Sequence, residues 1–107
     1  MILGIARSKN GVTIRLTHER WLHITTSHKE IDPTNYSIIL AVIKEPDVVF
    51  QGDTGELLAV RKRARKKDWV VVVYKEQDST DGFVLTTYVT SDFRWLLKRK
   101  IVWNKLS

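Results

Sequence analysis

The chain has 107 residues with eighteen Lys and Arg against twelve Asp and Glu, a formal net charge of +6. Its 43% hydrophobic and 28% charged residues are typical of one globular domain, predicted to span residues 1–107. The absence of cysteine excludes a disulfide framework, a thiolate nucleophile and a zinc–thiolate site. No apolar run approaches the ~20 residues of a membrane span, and the N-terminus does not resemble a signal peptide. We therefore expect no membrane partner and a cytoplasmic location.

The first residues predict a β-hairpin followed by a helix. Two β-type runs, 2–6 and 12–16, flank a turn containing Asn10-Gly11, a strong hairpin signal. Thr17 is a suitable N-cap for a helix from His18 to about Ser27. Trp21 and Ile24 would lie on its buried face.

A second helix is predicted from Asp32-Pro33, with Asp32 as the cap and proline at the first helical position. Its apolar residues follow the spacing of a core-facing helix: Tyr36, Ile39, Leu40 and Ile43. Pro46 would end it.

The second half of the chain predicts a strand at 47–51 and then a meander of three β-rich runs between 57 and 89. Ser91-Asp92 indicates the cap of a C-terminal helix running from Trp95 toward Trp103. The predicted fold class is α+β: N-terminal helices, an antiparallel sheet of about four strands, and a C-terminal helix.

The two-residue period of strands predicts which side chains share a face of this sheet. The most economical assignment buries one set under the helices: Leu58, Val60, Phe83, Leu85 and Val89. The other face would present a polar set to solvent: Arg61, Arg63, Thr86 and Tyr88. The opposite assignment would bury arginines, which is costly.

Positive charge is concentrated in the C-terminal half, where residues 51–107 hold twelve Lys and Arg against seven Asp and Glu. This fits RNA or another polyanion, and it fits a solvated basic face equally well. Arginine binds phosphate oxygens through its planar fork, which favours Arg61 and Arg63 as phosphate ligands. Arg65, Lys66 and Lys67 are RNA-binding candidates, with protection of the hairpin end against aggregation as the alternative.

The three histidines, His18, His23 and His28, are five residues apart, or about 140° around a helix. They cannot line one helix face, so we predict no metal site and no cofactor. His23 lies beside apolar helix residues, which by itself favours a structural role over a catalytic one. His28 falls at or beyond the helix end and, with Arg20, is a candidate RNA contact.

Five short segments occur in one order: 16–24, 28–30, 45–49, 70–74 and 82–88. This order resembles the small phage- and plasmid-associated members of the barnase–EndoU–colicin E5/D–RelE-like nuclease superfamily. The resemblance implies a sheet on or beside which RNA is cleaved without metal. It also implies catalytic positions at His23, Arg61, Thr86 and Tyr88, with Arg63 assisting. Where relatives more often have Thr-Ala-Tyr, this chain has Thr86-Thr87-Tyr88.

The leading hypothesis is therefore a toxin-like, metal-independent endoribonuclease. His23 would be the base or acid, Arg61 and Arg63 would stabilise charge, and Tyr88 with Thr86 would position the phosphate. If helix packing keeps His23 away from the site, His28 becomes the candidate. Two alternatives use the same basic surface: a non-catalytic nucleic-acid-binding module, and a domain that docks an acidic partner such as an antitoxin.

Overall fold

The chain is built around one mixed β-sheet. The structure, a computed structural model, describes residues 1–32 and 34–106. Within these residues the elements are β1 (Ile2–Arg7), β2 (Thr13–Thr17), α1 (His18–Ser27), α2 (Ser37–Lys44), β3 (Val48–Gln51), β4 (Leu57–Lys62), β5 (Trp69–Glu76), β6 (Asp81–Thr90), a one-turn 3-10 helix (Leu96–Lys98) and β7 (Ile101–Asn104). The strand order is β1-β2-β6-β5-β4-β3-β7, and only the β2–β6 pair is parallel. No helix among the described residues is long and apolar enough to cross a membrane.

Several local predictions are confirmed. The N-terminal hairpin forms, and Gly11 supplies the positive φ (+82°) that its turn requires. The Thr17 hydroxyl accepts a hydrogen bond from the Arg20 backbone N–H (3.2 Å), so it caps α1 as expected. Trp21 and Ile24 are buried, and β4, β5 and β6 form the antiparallel meander at the centre of the sheet.

The predicted fold class is wrong in its sheet and in its C-terminus. The described residues contain two helices and a seven-stranded mixed sheet, not a four-stranded antiparallel sheet between helices. The N-terminal hairpin joins this sheet because Thr13, Ile14 and Arg15 of β2 pair with Asp81, Gly82 and Phe83 of β6. The local sequence of neither strand indicates this long-range parallel pairing.

The predicted C-terminal helix is replaced by one 3-10 turn and β7. β7 pairs with β3, so that Val49 lies opposite Trp103. Without β7, the backbone of β3 would leave an unpaired edge, and the residues of β7 have high strand propensity. The second helix also starts later than predicted, at Ser37; Asp32 instead accepts hydrogen bonds from Thr34 (2.9 and 2.7 Å), and Pro33 lies outside the described residues.

Both faces of the sheet are packed, which sets where polar groups can be displayed. α1 and α2 pack on one face, here called the helix face, whose buried strand residues include Ala59, Val70, Val72 and Val84. On the opposite face, Leu58, Val60 and Val71 pack against Leu96 of the 3-10 turn. The segment between β6 and β7 therefore covers part of the opposite face.

The adjacent leucines of the 3-10 turn test this packing. Leu96 is fully buried, whereas Leu97 is 62% exposed. We expect Leu96→Ala to lower the free energy of unfolding by about 2–5 kcal/mol, because it removes buried methyl groups and leaves a cavity. Leu97→Ala, the matched control, should change it by no more than about 0.5 kcal/mol. Urea unfolding of the two variants measures both values, and equal effects would contradict the assigned packing.

Candidate functional site

The strand register separates the side chains that the sequence analysis placed on one face. Arg61 lies opposite Val70, and Val70 lies opposite Val89, so these three side chains point to the helix face. Tyr88 lies opposite Val71, whose side chain belongs to the opposite face. Thr86, two residues before Tyr88, shares its face. The predicted surface combining Arg61 and Arg63 with Thr86 and Tyr88 is therefore not formed.

The predicted buried set also needs correction. Leu58 and Val60 are buried, but under the 3-10 segment and not under the helices. The register of the β5–β6 pairing shifts between Val73 and Tyr74 of β5. This β-bulge interrupts the alternation of side chains, so Val84 fills the core on the helix face while Phe83 and Leu85 stay half-buried.

The basic run of residues 61–67 lies at the β4–β5 end of the helix face. Arg61, Arg65, Lys66 and Lys67 are exposed there. Arg63 makes two hydrogen bonds to the Asp68 carboxylate (2.7 and 2.6 Å). This hydrogen-bonded guanidinium lowers the pKa of Asp68, so the pair stays charged at neutral pH. Arg63 is thus held by a carboxylate within the hairpin itself.

His23 lies on the exposed side of α1, away from the residues expected to act with it. Together with Thr17, Glu19 and Arg20 it lines a shallow surface depression near the start of the helix. Arg20 shares this location, so neither residue is brought to the strand positions at 86 and 88.

His28, in contrast, reaches Tyr88 from the end of α1. Because β2 pairs only with residues 81–83 of β6, α1 continues beside the rest of that strand. The His28 backbone N–H caps the helix by donating to the Ile24 carbonyl (2.8 Å). Its ring centroid is 6.2 Å from that of Tyr88, and its Nδ1 is 3.5 Å from the Glu30 carboxylate. A carboxylate at this position can orient the imidazole ring through its Nδ1.

Tyr88 stacks on a second aromatic ring, Trp95, which precedes the 3-10 turn. The two centroids are 6.0 Å apart and the rings are inclined by 26°. Burial of Leu96 holds this segment against the sheet. Burial also raises the pKa of the Tyr88 phenol, although the charge of Arg99 opposes the shift. Tyr88 therefore keeps its proton at neutral pH and can donate it.

Arg99 completes the group. Its guanidinium carbon lies 5.7 Å from the centre of the Trp95 ring, and its Nη1 donates to the Asp53 carboxylate at 2.9 Å. Its Nε is buried and has no hydrogen-bond partner among the described residues, which is unusual for a strong donor. Asp53 is 84% exposed at the side chain, so an anion arriving from solvent can compete for the guanidinium.

We call His28, Thr86, Tyr88, Trp95 and Arg99 the Tyr88 cluster. Three of its members, Tyr88, Trp95 and Arg99, line a groove of about 320 Å³ together with Asp53, Thr54, Glu56, Leu58 and Val73. The Glu56 carboxylate accepts hydrogen bonds from the backbone and hydroxyl of Thr54, which lower its pKa. The groove thus combines a base-sized aromatic surface, a cation and two carboxylates.

Trp95 and Arg99 were not predicted as site residues. Both lie in the segment predicted to be a helix, and their contact with Tyr88 depends on that segment folding back over the opposite face. The run Lys98-Arg99-Lys100 was a charge signal that could have drawn attention to them.

Among residues 1–32 and 34–106, no group of three or more His, Asp or Glu side chains is arranged to hold a metal ion. Comparisons with protein-family models, curated proteins and solved structures gave no match.

Proposed function

We propose that the protein is a metal-independent endoribonuclease that cleaves RNA at the Tyr88 cluster. The observation that supports this most is the placement of a phenol and a guanidinium along one open groove, with an imidazole whose ring centroid lies 6.2 Å from that of the phenol. These are the three kinds of group that cleavage by the RNA's own 2′-hydroxyl requires.

In this reaction the 2′-oxygen forms a bond to the adjacent phosphorus, and the bond from phosphorus to the 5′-oxygen breaks. A base takes the proton of the 2′-hydroxyl, and an acid gives a proton to the departing 5′-oxygen. The products are a 2′,3′-cyclic phosphate and a 5′-hydroxyl. Negative charge grows on the phosphate oxygens during the step, so a nearby cation lowers the barrier.

His28 is the residue we assign to proton abstraction, because imidazole transfers protons efficiently near neutral pH. Tyr88 is assigned to proton donation, because its phenol is protonated at neutral pH and lines the groove. Thr86 lies on the same face two residues away and can position a phosphate oxygen through its hydroxyl.

Arg99 is the cation we assign to the phosphate. Its Nη1 and Nη2 each carry an N–H donor beyond the one that Asp53 accepts. Trp95 offers an aromatic face on which a nucleobase can stack, a contact worth about 1–3 kcal/mol per base. Asp53 and Glu56 disfavour any part of the RNA backbone that passes close to them, which confines the phosphate to the Arg99 side of the groove.

The net charge of +6 supports RNA as the substrate, since excess Lys and Arg attract the phosphate backbone over a distance. Arg20, Arg65 and Lys67 contribute to this general attraction, and cellular RNA as substrate would place the activity in the cytoplasm. Arg61 and His23 are not assigned to the chemical step.

The test is incubation of the purified protein with total RNA in EDTA, followed by analysis of the product ends. We expect fragments with 2′,3′-cyclic phosphate and 5′-hydroxyl ends from the wild type. Tyr88→Phe, which removes only the proton donor, should cleave about 10²-fold more slowly. Intact RNA with salt-sensitive binding would instead indicate a non-catalytic RNA-binding module.

A further inference from the structure

A second groove lies on the other side of the sheet, between α2 and the β4–β5 hairpin. Its volume is about 520 Å³, and we call it the α2 groove. It is lined by Ile38, Ala41, Val42, Arg61, Lys62, Arg63, Ala64, Lys66 and Val70. None of these residues belongs to the Tyr88 cluster.

The floor of the α2 groove is aliphatic. Val42 and Val70 are buried, and Ile38 and Ala41 of α2 remain half-buried because no described element covers them. No aromatic ring lines the groove. Single-stranded RNA binds through stacking on aromatic rings as well as through charge, so this floor suits an aliphatic side chain better than a base.

The wall formed by the hairpin is strongly positive. Arg61, Lys62, Arg63 and Lys66 line it, whereas no carboxylate does. Within the part of the chain that the structure describes, Arg63 is the one of these four whose side chain pairs with a carboxylate, that of Asp68, while the Lys62 ammonium donates to the Lys66 carbonyl (2.7 Å). Among the described residues, the side chains of Arg61 and Lys66 form no hydrogen bond or ion pair. The groove therefore joins an uncovered apolar floor to uncompensated positive charge.

We propose that the α2 groove docks an acidic amphipathic helix of a partner protein. Such a helix would lie parallel or antiparallel to α2. It would place aliphatic side chains against Ile38, Ala41 and Val70, and its carboxylates against Arg61 and Lys66. This combination of apolar contact and opposite charge is the chemistry that the groove presents. Because the groove opens on the helix face, the partner can bind while the Tyr88 cluster stays open.

The probe for this proposal is a synthetic helical peptide with Leu along one face and Glu along the other, titrated by fluorescence anisotropy. Two double variants provide the comparison: Arg61→Gln with Lys66→Gln, and Arg65→Gln with Lys67→Gln. Both remove two positive charges from the same hairpin, but only the first pair lines the groove. Ile38→Ser tests the floor separately.

We expect the wild type to bind the peptide, with affinity at least about 10-fold lower in the Arg61/Lys66 variant and nearly unchanged in the Arg65/Lys67 variant. Ile38→Ser, and a peptide with Ser in place of Leu, should each weaken binding. Absence of binding by the folded wild type, equal losses in the two double variants, or equal binding of the Ser-containing peptide would each overturn the proposal. Oligouridine, a single-stranded RNA, tests the alternative ligand. If the peptide did not bind and only the Arg61/Lys66 variant lost oligouridine binding, the proposal would also be overturned. These readouts are independent of RNA cleavage.

Discussion

Replacing His28 by alanine is expected to slow RNA cleavage by about 10²- to 10⁴-fold, the range typical for loss of a general base or acid. The reason is positional. His28 is the histidine whose ring lies against Tyr88, at a centroid distance of 6.2 Å, and its Nδ1 lies near the Glu30 carboxylate. Single-turnover cleavage of a labelled oligoribonucleotide measures the chemical step directly.

His23→Ala is the matched control, because both histidines come from the same helical region and only His28 contacts the Tyr88 cluster. We expect His23→Ala to cleave at nearly the wild-type rate. Full activity in His28→Ala, or a larger loss in His23→Ala, would contradict the assignment. Thermal unfolding of both variants establishes that any loss does not come from misfolding.

Removing the cation is expected to have an effect of similar size. Arg99→Ala should lower the cleavage rate by on the order of 10²- to 10³-fold, since the guanidinium is the group placed to stabilise the charge that grows on the phosphate. Arg99→Lys keeps the charge but not the planar fork and should recover part of the rate. The same single-turnover assay at saturating RNA separates this loss from weaker binding.

Arg94→Ala is the control for Arg99. Arg94 precedes Trp95 in the same segment, its side chain is 89% exposed, and it pairs with Asp92 and not with the cluster. Its loss removes one positive charge from the same region of the protein without touching Trp95 or Tyr88. Equal losses in the Arg94 and Arg99 variants would show that general charge matters and that the cluster does not.

The elements with strong local signals were predictable from the sequence. Asn10-Gly11 between apolar runs gave the first hairpin, and Thr17 gave the start of α1. The meander followed from strand propensity and turn residues. These features depend on interactions among residues close in the chain, so they can be predicted from the sequence alone.

The faces of the sheet were not predicted correctly, because the predicted sheet had only one covered face, whereas the observed sheet is packed on both. The run Leu57-Leu58-Ala59-Val60 and the run Val70-Val71-Val72-Val73 are apolar at every position. Continuous apolar strands of this kind are typical of sheets packed on both sides. Arg61 lies two residues after Ala59 in β4, so its side chain points to the same helix face. The end of α2 does not cover it there, and it stays exposed.

Two long-range contacts determine which side chains form the site, and no local sequence pattern indicates either of them. The parallel β2–β6 pairing directs α1 along β6 and so brings His28 to Tyr88. The segment after β6 folds back as a 3-10 turn and β7, which brings Trp95 and Arg99 to the same place. Tyr88 and Thr86 were singled out by the resemblance, but the side chains that surround them follow from these long-range contacts.

The most direct test of the proposed site compares two double variants with the wild type in one cleavage assay containing EDTA. One is His28→Ala with Arg99→Ala, which removes the Tyr88 cluster's base and cation. The other is His23→Ala with Arg61→Ala, which removes the pair predicted from the sequence but not brought together in the structure. We predict cleavage by the wild type and by the His23/Arg61 variant, and none by the His28/Arg99 variant. Cleavage retained by the His28/Arg99 variant and lost in the His23/Arg61 variant would contradict the site proposed for this protein.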